Sequence, residues 1–398
     1  MTFDLPTTTG YEPEIIEKRI REYESFGNHR TGWPADDQTS KWLIDQLKEF
    51  GIPAKTENFR FPRVEYRDSS LNLAGSEIIV RTPLYDGDFT IPEGIRAEIC
   101  EITDPDLFGK FVIVNARKLT HEDFPNYVDA LHKKGVLAII LVNGDRDRNI
   151  VLQNAMHIDQ PFPLPILQVA SSDNKHLKST MMMGGESLLT LDGERLQSTA
   201  TNVIASIEGS QPNSPAIGIV TPKSGWFTCA AERGGGIVIF LALAESIAAL
   251  AEPHPTVHLL ASSGHELNFY GIRSYARTNR DNITKAAAWL HLGASIGARE
   301  EPNSIAATSD EDLEEFVRQS LSSSNLEVTN IRNPGPAVGG EALILSELDT
   351  RYISFLGGHA YFHSPTDTVD NAFDSTKVSQ WALAIKSITN NLLSIYKR

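Results

Sequence analysis

From residue 201 onward the chain alternates short apolar runs with longer helical patterns, and this alternation constrains the fold more than any other feature. Runs of strand length lie at 201–207, 216–220, 256–262, 286–292 and 352–356. Helical periodicity predicts helices over 235–250, 268–278, 310–322, 340–346 and 375–396. Strands separated by helices imply an α/β fold: a mixed, largely parallel sheet with helices on both faces. Sheets of this kind carry their chemistry in the loops at the carboxyl ends of the strands.

The N-terminal part adds two amphipathic helices, over 14–26 and 38–50, on either side of a polar loop, HRTGWPADD, and then a strand over 52–61. Between 71 and 191 the pattern changes to short apolar runs separated by turns, with one clear helix over 124–134. This stretch reads as a β-rich insertion. The expected domains are therefore 1–67 together with 201–398, and 68–200 inserted between them. Net charge is −15, which disfavours nucleic acid and anionic membrane as partners. Two cysteines cannot build a disulfide framework or a thiolate zinc site. The longest apolar stretch, 236–250, contains Glu245 and is shorter than a membrane span. With no secretory pattern at the N-terminus, a cytoplasmic location is expected.

The loops after the later strands hold an unusual concentration of reactive side chains. In order they carry Thr221-Pro222-Lys223-Ser224, Glu232-Arg233-Gly234-Gly235-Gly236, Gly264-His265-Glu266, His291, Gly340-Glu341 and the segment from His359 to His363. Imidazole with carboxylate and no thiolate suits zinc, manganese or iron(II). The glycine triplet lacks the Lys-Ser/Thr ending of a phosphate loop and instead suits close helix–sheet packing. A zincin reading of His265-Glu266 fails because position 269 is phenylalanine.

The order of these loops resembles the co-catalytic di-zinc aminopeptidase family, which also includes glutamate carboxypeptidase and glutaminyl cyclase. The opening HRTGWPADDQTSKWLIDQLKEFGI, the turn GHELNFYGIRSYAR and the terminal GGHAYFHSPTDTVDN carry the likeness. The inserted segment, with GKFVIVNARK, GVLAIILVNGD and PLPILQVASSDNKHL, is similar to a protease-associated domain. The resemblance implies a metal-dependent hydrolase of an amide or related C–N bond.

Several ligand positions depart from that pattern. The His-x-Asp of the first loop is Thr221-Pro222-Lys223, the bridging Asp-Asn is Glu232-Arg233, and the general-base glutamate is His265. The aspartate of the first metal site is His291, the later Asp-His is Gly340-Glu341, and Glu266 and His363 are kept. These changes imply one divalent ion, zinc first with manganese or iron as alternatives, held by Glu266, His363 and His291 with Glu232 as a fourth ligand. His265 or Glu341 would move the proton. Lys223 would supply positive charge or bind a substrate carboxylate. The expected partner is a small-molecule or short peptide-like substrate, and a homo-oligomer is left open. Two rival readings stand beside this one: a non-catalytic binding protein on the same fold, and a conventional di-zinc aminopeptidase with shifted ligands.

Overall fold

The computed structural model describes residues 4–74, 77–116, 123–144, 150–210, 214–251, 254–324, 326, 328–337 and 339–395. The chain divides into two compact units, Met1–Arg60 with Thr199–Arg398, and Phe61–Ser198.

The first unit opens with α1 (Pro13–Ser25) and α2 (Pro34–Glu49), each with proline in its first turn, where the missing N–H costs no helical bond. Ile16, Ile20 and Tyr23 of α1 and Leu43 and Leu47 of α2 are buried at helical spacing, so each helix turns one stripe inward. The chain continues into β1 (Ala54–Leu73), a strand that ends in the second unit.

In the second unit follow β2 (Glu77–Val80), β3 (Ile95–Ala97), β4 (Ile99–Glu101), β5 (Phe111–Asn115), α3 (Phe124–Lys133), β6 (Ala138–Asn143), β7 (Ile166–Ala170) and α4 (Asn174–Met183). The order β4-β5-β6-β7 forms a parallel sheet. Its period-2 alternation separates two apolar layers: Phe111, Ile113, Ile140 and Val142 pack with Leu177 of α4, and Val112, Val114, Ile139 and Leu141 pack with Val128 and Leu131 of α3. One helix was expected in this segment, and the described residues of it include two, α3 and α4. The sequence of α4 buries only Leu177 and Thr180, a pattern too sparse to show in periodicity.

Strand β8 (Ser187–Ile207) begins in the second unit and returns the chain to the first. There follow β9 (Ile217–Pro222), α5 (Gly234–Ala248), β10 (Val257–Ser262), α6 (Tyr270–Thr278), α7 (Arg280–Thr284), β11 (Ala288–Leu292), β12 (Asn303–Thr308), α8 (Glu311–Ser322), β13 (Asn330–Ile331), α9 (Ala342–Glu347), β14 (Tyr352–Gly358), α10 (Val369–Ala372) and α11 (Ser375–Ile395). The sheet order β13-β12-β14-β11-β9-β10-β8-β1 is mixed: β10, β9, β11 and β14 run parallel, whereas β8 and β12 run antiparallel to their neighbours β10 and β14. Strands β12 and β13 carry no long apolar run and were not visible as strands in the sequence. The last residue of the expected final helix lies outside the described residues.

Helix α5 is the centre of this unit. Nearly every residue from Gly234 to Ile247 is buried, as a helix apolar on all sides must be. Its glycines make the packing possible. A Cβ at Gly235 would lie 2.0 Å from the Ile296 carbonyl oxygen, and one at Gly236 would lie 2.7 Å from that of Leu292. Both cysteines are free and buried. Among the described residues no helix is long and apolar enough to cross a membrane.

Candidate active site

The ends of β9, β10, β11 and β14 and the start of α5 bring the expected residues into one region of the first unit, and almost all of them are buried. They sort into four groups, centred on Glu266, Lys223, Glu232 and Glu341.

The first group ties the N-terminal loop to the sheet. Glu266 accepts from the Thr31 amide at 2.7 Å, the Thr31 hydroxyl at 2.8 Å and the Ser224 hydroxyl at 2.8 Å. Burial pushes its carboxyl above the ordinary glutamate value, against the lowering effect of these donors. The Gly264 amide donates to the same two hydroxyls, so the turn that carries His265 and Glu266 is anchored on Thr31 and Ser224. His29 holds the loop from the other side. Its ring stacks on Tyr23 at 3.7 Å, and its backbone amide donates to the Phe227 carbonyl.

The second group is an ion pair. The Lys223 ammonium donates to the Asp36 carboxylate and, at 3.2 Å, to the Asp36 carbonyl, and both side chains are fully buried. The other carboxylate oxygen of Asp36 accepts from the Gly32 amide at 2.9 Å and the Ser263 hydroxyl at 2.7 Å. Lys223, expected to supply positive charge or to bind a substrate carboxylate, is here paired with an aspartate from the first turn of α2. Sequence reading assigned Asp36 to a loop, because the helix was expected to start only at residue 38. The usable signal was Pro34, which fits the first helical position and places Asp36 in the first turn.

The third group centres on Glu232. Arg233 Nη2 lies 2.7 Å from Glu232 Oε1, and Arg233 Nε donates to the Ser224 carbonyl at 2.8 Å. His363 Nε2 lies 3.3 Å from the same Oε1. Burial opposes the charged carboxylate, but Arg233 and His363 outweigh it and hold Glu232 below its ordinary value. The backbone here is fixed by Asp367, which accepts from the Ala231 and Glu232 amides at 2.9 and 3.0 Å. His359 bridges Ser295, at 2.9 Å from Nδ1, to Asp367, at 3.4 Å from Nε2, and its ring is wholly buried.

The fourth group is a chain of imidazoles about one carboxylate. His265 Nδ1 donates to Glu341 at 3.1 Å, and the Ser262 hydroxyl donates to the same oxygen. His291 Nε2 donates to the other oxygen at 3.2 Å and accepts from the Ser354 hydroxyl, 2.8 Å away, through Nδ1. Burial alone would raise the Glu341 pKa; the two imidazoles reverse this and hold it well below the ordinary value. Burial, with Arg233 nearby, lowers the pKa of His265 despite Glu341. Its ring sits edge-on to Phe269 at 5.1 Å.

Strained backbone marks the same region. Cys229, Phe269, Ser295 and His363 have φ of +53°, +57°, +65° and +55°, a conformation that costs a side-chain-bearing residue about 1–2 kcal/mol. The aromatic side chains Trp226, Phe227 and Phe269 beside these groups in sequence are buried. A separate cleft of about 930 Å³, lined by Asp310, Arg351 and Tyr352 among others, shares no residue with these groups.

The fold is that of the zinc aminopeptidases. A zinc aminopeptidase from Bacillus subtilis superposes with a TM-score of 0.80 at 14% identity, over 98% of this chain and 96% of that one. A peptidase M28 precursor from Shewanella amazonensis gives 0.76 at 18% identity, covering 96% and 97%. An aminopeptidase from Aneurinibacillus sp. strain AM-1 gives 0.72 at 16% identity, covering 96% and 94%. No family model matches the sequence, and neither does any curated protein.

Zinc requires at least three protein donors converging at about 2.0–2.3 Å. Among the described residues no three histidine, cysteine, aspartate or glutamate side chains are placed to hold a metal ion. The four expected ligands fall into three of the groups above: Glu266 with Thr31 and Ser224, Glu232 with His363, and His291 with Glu341. In this arrangement the donor set does not fit zinc.

Proposed function

We propose that this chain hydrolyses an amide or related C–N bond in a small or peptide-like substrate, with His265 and Glu341 as its acid–base pair. The observation that carries the reading is the buried Glu341 carboxylate between two imidazoles, of which His265, with 9% of its side chain exposed, is the less buried. Because Nδ1 of His265 donates to Glu341, Nε2 is the basic nitrogen of the neutral ring. Nε2 takes a proton from water as its oxygen adds to the carbonyl carbon. The same proton then goes to the departing nitrogen as the C–N bond breaks, leaving acid and amine. Glu341 stays ionised throughout, orients the ring and stabilises the imidazolium, and His291 with Ser354 holds Glu341 in place.

The groups also bear on substrate choice. Glu232 is matched by Arg233, Asp36 by Lys223, and Glu341 by two histidines, so each of these carboxylates has a cationic or imidazole partner and none is left to take a protonated α-amine. We therefore favour N-acyl amino acids and aromatic amides over aminoacyl anilides. The segment 68–200 is read as a protease-associated domain, and the location as cytoplasmic.

The test is turnover across those three substrate sets by wild type and His265→Ala. The variant should lose about 10²–10⁴-fold in rate on the preferred amide. Rapid turnover of a leucyl anilide would return the protein to the ordinary aminopeptidases, and no turnover of any substrate would favour the non-catalytic binding protein.

A further inference from the structure

We propose that this centre is metal-free, with the side-chain cations Lys223 and Arg233 as its resident positive charges. The inference goes beyond the hydrolase reading and stands on the ion pairs alone.

Each carboxylate that a divalent ion would need is already committed within the chain. Glu232 Oε1 lies 2.7 Å from the Arg233 guanidinium, which is fully buried, so a metal approaching that oxygen meets a fixed cation. Glu266 uses both oxygens on donors from Thr31 and Ser224, with the three contacts at 2.7–2.8 Å. Glu341 uses both oxygens on His265, His291 and Ser262. To gather three of the four expected ligands, Glu266, His363, His291 and Glu232, about one ion, at least two of these groups would have to open, leaving buried hydroxyls, amides or a guanidinium without acceptors.

Charge points the same way. Two negative side chains, Asp36 and Glu232, are each matched one-to-one by a buried monocation. A divalent ion brought to Asp36 or Glu232 would be repelled by the cation already paired there, and the low polarizability of the surroundings strengthens that repulsion. Arg233 is held in place as a fixed internal cation. Its Nη2 is committed to Glu232, and its Nη1 is buried and makes no hydrogen bond. Burial works against that charge, but Glu232 more than compensates and raises the pKa of Arg233.

The experiment uses the full-length chain expressed with zinc added to the medium. Elemental analysis of the purified protein should find zinc, manganese and iron far below one ion per chain. Calorimetric titration with zinc chloride should show no tight site, and the melting temperature should be the same with and without EDTA. One tightly held ion per chain, with a melting temperature that falls on chelation, would overturn the proposal. That result would leave the acid–base pairing of His265 and Glu341 to be judged separately by the substrate panel.

Discussion

Replacing Lys223 with methionine tests the central electrostatic claim directly. The substitution removes an ammonium that is fully buried against the Asp36 carboxylate and leaves the volume nearly unchanged. Breaking a buried pair on one side costs about 3–5 kcal/mol, because the remaining charge has lost its partner and has no water. Asp36 keeps two other donors, the Gly32 amide and the Ser263 hydroxyl, so the low end applies, about 3 kcal/mol. In a unit of this size each kcal/mol moves the melting temperature by about 2–4 °C, so the expected fall is about 6–12 °C. The double variant Lys223→Met with Asp36→Asn removes both charges and keeps an acceptor for Gly32 and Ser263. It should recover most of the loss, giving a coupling energy of about 2–3 kcal/mol in a double-mutant cycle followed by urea denaturation. A single variant that loses less than about 1 kcal/mol would refute the argument, as would a double variant no better than the single one.

Other expectations follow from particular contacts. Gly235→Ala should destabilise by about 1–3 kcal/mol in denaturant titration, although alanine is the better helix former, because its Cβ would meet the Ile296 carbonyl oxygen at 2.0 Å. His29 is held to about 3 by burial, with Lys223 adding to the effect, so the folded state prefers the neutral ring. Its contribution is complete above the ordinary value of 6.5 and is lost as pH falls below it, by about 2 kcal/mol at pH 5. His29→Gln should flatten the stability profile between pH 7 and 5, and an unchanged slope would count against the assignment. Asp86 has the opposite sign: burial raises its carboxyl to about 7, so its contribution is present at low pH and fades as pH rises through that value. Asp86→Asn should therefore melt higher than wild type at pH 8 and no higher at pH 4.

The alternation of strands and helices was legible because burial imposes period 2 or 3.6 on any chain that forms them, and strands β9, β10, β11 and β14 fell where the apolar runs lie. The reactive loops were legible too, since a parallel sheet delivers the ends of such strands to one edge. Strands β12 and β13 and helix α4 were hidden, because an element that buries few side chains leaves a weak pattern. The pairing of the site residues lay beyond the sequence altogether. Lys223 and Asp36 stand 187 residues apart, Thr31 and Glu266 stand 235 apart, and His265 and Glu341 stand 76 apart. Composition says that cations and carboxylates are present near the strand ends; only the tertiary structure decides which neutralises which. That decision pairs Lys223 with Asp36 and divides the four expected metal ligands among three hydrogen-bonded groups, because in a buried region every charge must find its partner among the groups folding brings within reach.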